Sequence, residues 1–235
     1  MITISIANLP IGIDNRFDHI QYIAKDYISD EAPLFTVSVS DGDIEKEREI
    51  SGTDYPKGYY ESVIAYRKIA ERLPEFDAFL FHGCVIELNK KAYIITANSG
   101  VGKTTHTKLW LSEFPSEATI LNGDKPTVRI IDGTAYACGT PWQGKEDYGK
   151  NEIVPISGIA FLTRAEKNRA SEITPSEAVT RFMSQIYLPK KSRINLAKTM
   201  RLADAVIRDV RLVSPECNME PEAAHVCRRA LVCDL

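Results

Sequence analysis

At 235 residues the chain is long enough to bury its own core as one sizeable domain, or as two small ones. Hydrophobic residues make up 44%, charged residues 26% and the formal net charge is -3, a soluble globular profile with no global basic field to recruit nucleic acid. No run of about 18 apolar residues suggests a membrane span, and Met1-Ile2-Thr3-Ile4 lacks the basic start of a secretory signal, so a cytoplasmic protein is expected.

Residues 2–8 alternate, with Ile2, Ile4 and Ile6 against Thr3, Ser5 and Ala7, as a half-buried strand does. Phe17 to Ile28 has helical character, and Phe35 to Ser40 alternates as a second strand before the turn signal Asp41-Gly42. Residues 41–58 are charged, hold Gly42, Gly52, Pro56 and Gly58, and read as a loop or irregular strands. From Tyr59 to Leu73 the spacing of Val63, Ile64, Ile69, Ala70 and Leu73 predicts a helix stopped by Pro74. No internal repeat is visible. The expected organisation is one domain over 1–235, with residues 1–77 as an N-terminal elaboration and 78–235 as the core.

Phe79 to Leu88 and Ala92 to Thr96 are β-rich runs separated by Asn89-Lys90-Lys91, a hairpin signal. A turn at Asn89-Lys90 puts His82 across from Ala97, and a turn one residue later puts it near Ser99. Either register brings His82 to the end of the strand that feeds Ala97-Asn98-Ser99-Gly100-Val101-Gly102-Lys103-Thr104-Thr105. That stretch, between a strand and the helix-forming His106 to Leu111, has the context of a phosphate-binding loop. Its glycines let successive N–H groups of Asn98, Ser99, Gly100, Val101, Gly102, Lys103, Thr104 and Thr105 turn toward one phosphate, and the new helix adds the positive end of its dipole. Lys103 can reach the outer phosphates, and the Thr104 hydroxyl can hold Mg²⁺. Ala97 stands where the pattern has its first glycine.

Ala118 to Leu121 predicts a short strand, with Asn122-Gly123-Asp124-Lys125-Pro126 at its end. An acidic residue there suits a metal ligand or a base toward a hydroxyl, although the same residues also favour a plain turn. The order Asn122-Gly123-Asp124-Lys125 is not the guanine-binding Asn-Lys-x-Asp. Val128 to Ile131 and Ala135 to Cys138 flank Asp132-Gly133 as a second hairpin. The segment Gly139 to Asn151, with Trp142 as a candidate wall and Lys145 as a candidate phosphate or substrate contact, reads as a functional loop or as a solvated one. Ile153 to Leu162 is a strand, followed by Arg164, which faces a phosphate or solvent. A helix is expected from Pro175, another over Asn195 to Ala205, a final strand over Val206 to Val213 and a closing helix over Glu220 to Val232. The basic residues from Lys190 to Arg201 read as a solvated face rather than a nucleic-acid patch. Cys84, Cys138, Cys217, Cys227 and Cys233 are odd in number and scattered, which suits reduced thiols.

His82-Gly83, the hairpin, Ser99-Gly100-Val101-Gly102-Lys103-Thr104 and the acidic turn about twenty residues later resemble the HPr kinase/phosphorylase catalytic domain over roughly residues 78–165. His106, Asn122 to Pro126 and Gly139-Thr140-Pro141-Trp142-x-Gly144-Lys145 look like HPr-kinase-related proteins of anaerobic bacteria, whose relatives include kinases of small peptides. The resemblance implies an α/β fold, a mixed-sheet P-loop domain with flanking helices shared with phosphoenolpyruvate carboxykinases. It further implies that His82 lies by the transferred phosphate, that Lys103 and Thr104 serve nucleotide and metal, and that Asp124 is the catalytic acid/base. Apart from the resemblance, Lys125 beside Asp124 is a candidate substrate or phosphate contact. Gly123 stands where HPr kinases carry the first of two adjacent aspartates, which counts against reversible phosphorylase activity. The family's downstream signature is not intact, which argues against HPr as the acceptor. The expected activity is ATP- and Mg-dependent transfer to a hydroxyl of a protein, peptide or small molecule. The rival is a nucleotide-binding regulator without catalysis. A homo-oligomer stays open.

Overall fold

A computed structural model describes residues 1–232, so Cys233 lies outside the described residues. Strands β1 (Ile2–Ile6) and β2 (Leu9–Asp14) pair as a hairpin, followed by helix α1 (Asp18–Ile23), strand β3 (Phe35–Ser38) and helices α2 (Asp41–Ser51) and α3 (Lys57–Arg72). Next come β4 (Ala78–Leu80), β5 (Cys84–Leu88), β6 (Lys91–Thr96), α4 (Lys103–Glu113) and β7 (Ala118–Asn122). The chain continues through β8 (Thr127–Ile131), β9 (Thr134–Cys138), β10 (Ile153–Phe161), β11 (Thr163–Arg164) and β12 (Arg169–Glu172). It closes with α5 (Pro175–Met183), α6 (Arg193–Asp209), β13 (Arg211–Cys217) and α7 (Glu222–Val232).

The architecture is mixed α/β, with a large mixed sheet ordered β4-β8-β9-β10-β6-β5-β7, β13 joining at β10, and a separate sheet of β1, β2 and β3. Strand β6 lies inside the large sheet, and Ile94 and Ile95, on opposite faces, are both fully buried. Fully burying such a side chain is worth ~1.5–3 kcal/mol over leaving it exposed, so the loop after β6 starts from a fixed base.

Topology decides which ends meet. Strand β5 runs antiparallel to both β6 and β7, so β6 and β7 point the same way, and β10 is parallel to β6. The C-terminal ends of β6, β7 and β10 and the start of β5 therefore lie along one edge of the sheet. Open α/β sheets bind ligands at the carboxyl ends of their strands. In the N-terminal region Ile4, Ile11 and Ile13 pack with Tyr60 and Ile64 of α3 in a core that extends to Ala78 and Cys138.

Four expectations change. The run Phe79 to Leu88 is not one strand: β4 pairs with β8, the chain breaks at Phe81 to Gly83, and only β5 pairs with β6. The acidic stretch after Ser40 is the helix α2, closed at its start by a reciprocal Ser40–Asp43 capping box and at its end by Gly52 at φ 61. Residues 206–209 belong to α6, with Ala203, Val206 and Val210 buried at helical spacing, so the last strand starts at Arg211. Residues 17–28 hold only α1 and a short 3-10 turn, Lys25–Tyr27. Strands β2 and β12 were not expected. Among the described residues no helix is long and apolar enough to cross a membrane, and Cys84, Cys138, Cys217 and Cys227 are free and buried.

Candidate active site

The hairpin takes the first of the two expected registers, with Cys84 opposite Ile95 and Leu88 opposite Lys91. His82 consequently stands at the end of β6, where the Thr96 hydroxyl donates to its carbonyl at 2.7 Å. After β6, positive φ falls on Gly100 (φ 81) and Gly102 (φ 117), both with open space where a Cβ would sit. These glycines are needed for backbone conformation. Ala97 is not among the positive-φ residues, so its methyl group costs the loop no such freedom.

Helix α4 starts at Lys103, and its first backbone bond runs from His106 N to Gly102 O. The N–H groups of the first turn, from Lys103 to Thr105, precede that bond and have no partner within the helix. Ser99, Gly100, Gly102, Lys103, Thr104 and Thr105 border a cleft of about 500 Å³. Lys103 Nζ donates to the Ala97 carbonyl at 2.9 Å. Half-burial holds its amine below the usual lysine range. Arg164 donates to the carbonyls of Gly100 at 3.2 Å and Val101 at 3.4 Å and borders the same cleft, so it braces the loop.

Asp124 enters from the end of β7. Asn122, fully buried, accepts from Asp124 N at 3.0 Å and Lys125 N at 2.7 Å. Its amide donates to Thr140 O at 3.1 Å and Thr140 Oγ1 at 3.2 Å. The turn's aim is therefore set by one buried asparagine. Asn122→Ala is expected to cost about 2 kcal/mol in urea-unfolding stability, because buried groups lose their partners. Unchanged stability would remove the anchor role.

The Asp124 carboxylate lies 3.5 Å from His82 Nε2 and 3.1 Å from Lys125 Nζ. On the other face of the ring, His82 Nδ1 meets Gln185 Oε1 at 3.2 Å, and Gln185 Nε2 lies 3.4 Å from Asn98 Oδ1. Gln185 thus ties the histidine to the loop after β6. Partial burial, and then the Lys103 and Lys125 ammonium groups, hold the imidazole below its usual range against the pull of Asp124. Cys84 borders the cleft, but burial pushes its thiol up to about 12, far from a nucleophile's range.

Lys145 borders the cleft, next to Glu146, which pairs with Lys108 at 3.1 Å. Trp142 and Lys125 do not. They border an adjoining cavity, and Trp142 packs on Tyr66 with ring centroids 4.6 Å apart. His106 points inward, is buried and accepts from Trp110 Nε1 at 3.2 Å. The residues that motif reading missed are Thr96, Asn122, Thr140 and Gln185. Asn122, as the first residue of an Asn-Gly-Asp turn, and Thr140, in the Gly139 to Lys145 stretch, stood in motifs, whereas Thr96 and Gln185 carried no signal.

The oxygen donors of Thr104 and Asp124 border one cleft, and hard oxygen donors of this kind would suit Mg²⁺. Among the described residues no group of three or more His, Cys, Asp or Glu side chains forms a metal cage by itself.

No family model matches the chain, and no curated protein matches it. Among solved structures it is similar to the Hpr(Ser) kinase/phosphatase from Coxiella burnetii, at 14% identity over 52% of this chain and 96% of that chain, with a TM-score of 0.28.

Proposed function

We propose that this protein is an ATP- and Mg²⁺-dependent phosphotransferase that moves the γ-phosphoryl group onto a hydroxyl. The observation that supports it is the meeting, in one cleft, of a glycine turn at a helix start, Lys103 and the Asp124–His82 pair. In this reading the backbone amides of Asn98 to Thr105 hold the phosphates, and Lys103 leaves the Ala97 carbonyl to neutralise the charge on the moving group. Thr104 and Asp124 would hold Mg²⁺, which when bound would offset negative charge developing in the transfer. The Asp124 carboxylate takes the proton of the attacking hydroxyl. His82, held at Nδ1 by Gln185, keeps Nε2 toward that carboxylate and the transferred group. Positioning and fixed charge supply most of the rate in such transfers. Residues 1–77 serve the same single unit, since α3 reaches the neighbouring cavity.

Titration calorimetry with ATP, ADP and pyrophosphate, with and without Mg²⁺, tests the phosphate site. Mg²⁺-dependent binding is expected, weakened roughly 10–100-fold in Lys103→Ala, as for the loss of a charge-assisted hydrogen bond. No binding of any of the three sinks the reading. Tight binding with no transfer to any acceptor would make the protein a nucleotide-responsive regulator.

A further inference from the structure

A surface groove of about 650 Å³ lies between the edge of the small sheet and the start of α6, and shares no bordering residue with the phosphate cleft. It is bordered by Thr36, Val37 and Ser38 of β3 and by Lys191, Ile194 and Lys198 at α6. Strand β3 is the last of its sheet: it pairs with β2, and among the described residues no strand pairs with its other edge. An edge of this kind leaves backbone N–H and C=O groups without ladder partners.

The acids of the groove are already engaged. Glu71 accepts from Tyr187 Oη at 2.9 Å and from the backbone N–H groups of Lys190 and Lys191, both at 3.1 Å. Glu75 accepts from Arg72 Nε at 2.6 Å and Nη2 at 2.7 Å, and Lys68 pairs with Asp43 at 2.7 Å. The Glu75 carboxyl is held below its usual range by Arg72 first and by Lys198 least. Lys191 and Lys198 are the cations left over. Among the described residues neither forms an ion pair, and neither do Lys190, Arg193 or Arg201 beside them. The stretch from Pro189 to Leu202 holds these five cations and no acid. Ile194, Lys198 and Arg201 fall on one stripe of α6 by their i, i+4, i+7 spacing, and Ile194 is 72% exposed.

We propose that this groove docks an extended acidic segment of a partner polypeptide, which adds to the open edge of β3 with its carboxylates toward Lys191 and Lys198 and an apolar side chain on Ile194. This docking is independent of the phosphotransfer reading. Edge addition draws affinity from main-chain hydrogen bonds and specificity from alternate side chains, and unpaired cations along one helix select acids over other partners. A polypeptide fits better than a nucleic acid, because the chain's formal net charge is -3 and no aromatic side chain stands between Pro189 and Leu202 to stack on a base. A single small anion would leave both the strand edge and Arg201 unused.

The test is fluorescence anisotropy of a short labelled peptide, in which glutamate alternates with valine, titrated with the full chain at low salt. Its controls are the same peptide with lysine for glutamate, the same peptide with alternate backbone nitrogens methylated, a single-stranded oligonucleotide of equal charge, and citrate as a small polyanion. The acidic peptide is expected to bind, to weaken about tenfold or more on backbone methylation, and to weaken about tenfold or more in the double variant Lys191→Glu, Lys198→Glu. No binding of the acidic peptide at about 1 mM overturns the proposal. So does equal binding of the lysine peptide or of the methylated one, tighter binding of the oligonucleotide or of citrate, or an unchanged affinity in the double variant. The comparisons among probes use the unaltered chain, so they stand if that variant fails to fold.

Discussion

Replacing Asp124 by asparagine is expected to slow phosphoryl transfer roughly 10²–10⁴-fold, the range for loss of a positioned general base. Binding of Mg²⁺–ATP should change far less. The exchange keeps the size of the side chain, and the turn is held by Asn122 through the backbone amides of residues 124 and 125, which the substitution does not touch. An amide oxygen still serves as a metal ligand, although a weaker one. What is lost is the basic oxygen that lies 3.5 Å from His82 Nε2 and 3.1 Å from Lys125 Nζ. Product formation from γ-labelled ATP and calorimetric binding of the nucleotide separate the two effects. Normal turnover in the variant would sink the assigned role. Loss of binding in step with turnover would make Asp124 a metal ligand foremost.

The parts of the site that lie close together in sequence were the parts that could be read. The β5–β6 pairing follows from the spacing of apolar residues around Asn89-Lys90, and that register alone delivers His82 to the mouth of the loop. The loop itself is local, because its glycines and Lys103 sit within a few residues of the helix they start. Gln185 could not be found in the same way. It touches His82 and Thr96, 103 and 89 residues away, only because α5 delivers it across the sheet. Trp142 shows the opposite failure. Its type and its loop were legible, but which of two cavities it borders depends on Tyr66 of α3. The helix α2 was missed because it buries only Ile44 and so shows no apolar period, even though Ser40, Asp43 and Gly52 carried its end signals.

Gly123 is the position where the resemblance and this chain part, and the structure supplies a steric reason. A Cβ built on Gly123 would overlap the carbonyl oxygen of Gln143, and the Gly123 N–H donates to Tyr148 O at 3.0 Å. The loop from Gly139 to Asn151 is therefore seated directly on the acidic turn, with its backbone where a second carboxylate would stand. Gly123→Asp is expected to restore nothing. The new side chain must push against backbone atoms, which cannot swing away as a flexible side chain can. A destabilisation of roughly 3–4 kcal/mol follows, at the upper end of the cost of overpacking. Any shift of the turn also moves Asp124, and a displacement of about 1 Å at a reacting group costs roughly 10²-fold in rate. Urea unfolding and labelled-ATP transfer should therefore fall together, while Gly123→Ala, which adds only the clashing Cβ, should show most of the same loss. If Gly123→Asp instead folds with native stability and gains activity, the loop is free to lift from the turn, and the site would be open to a second carboxylate after all.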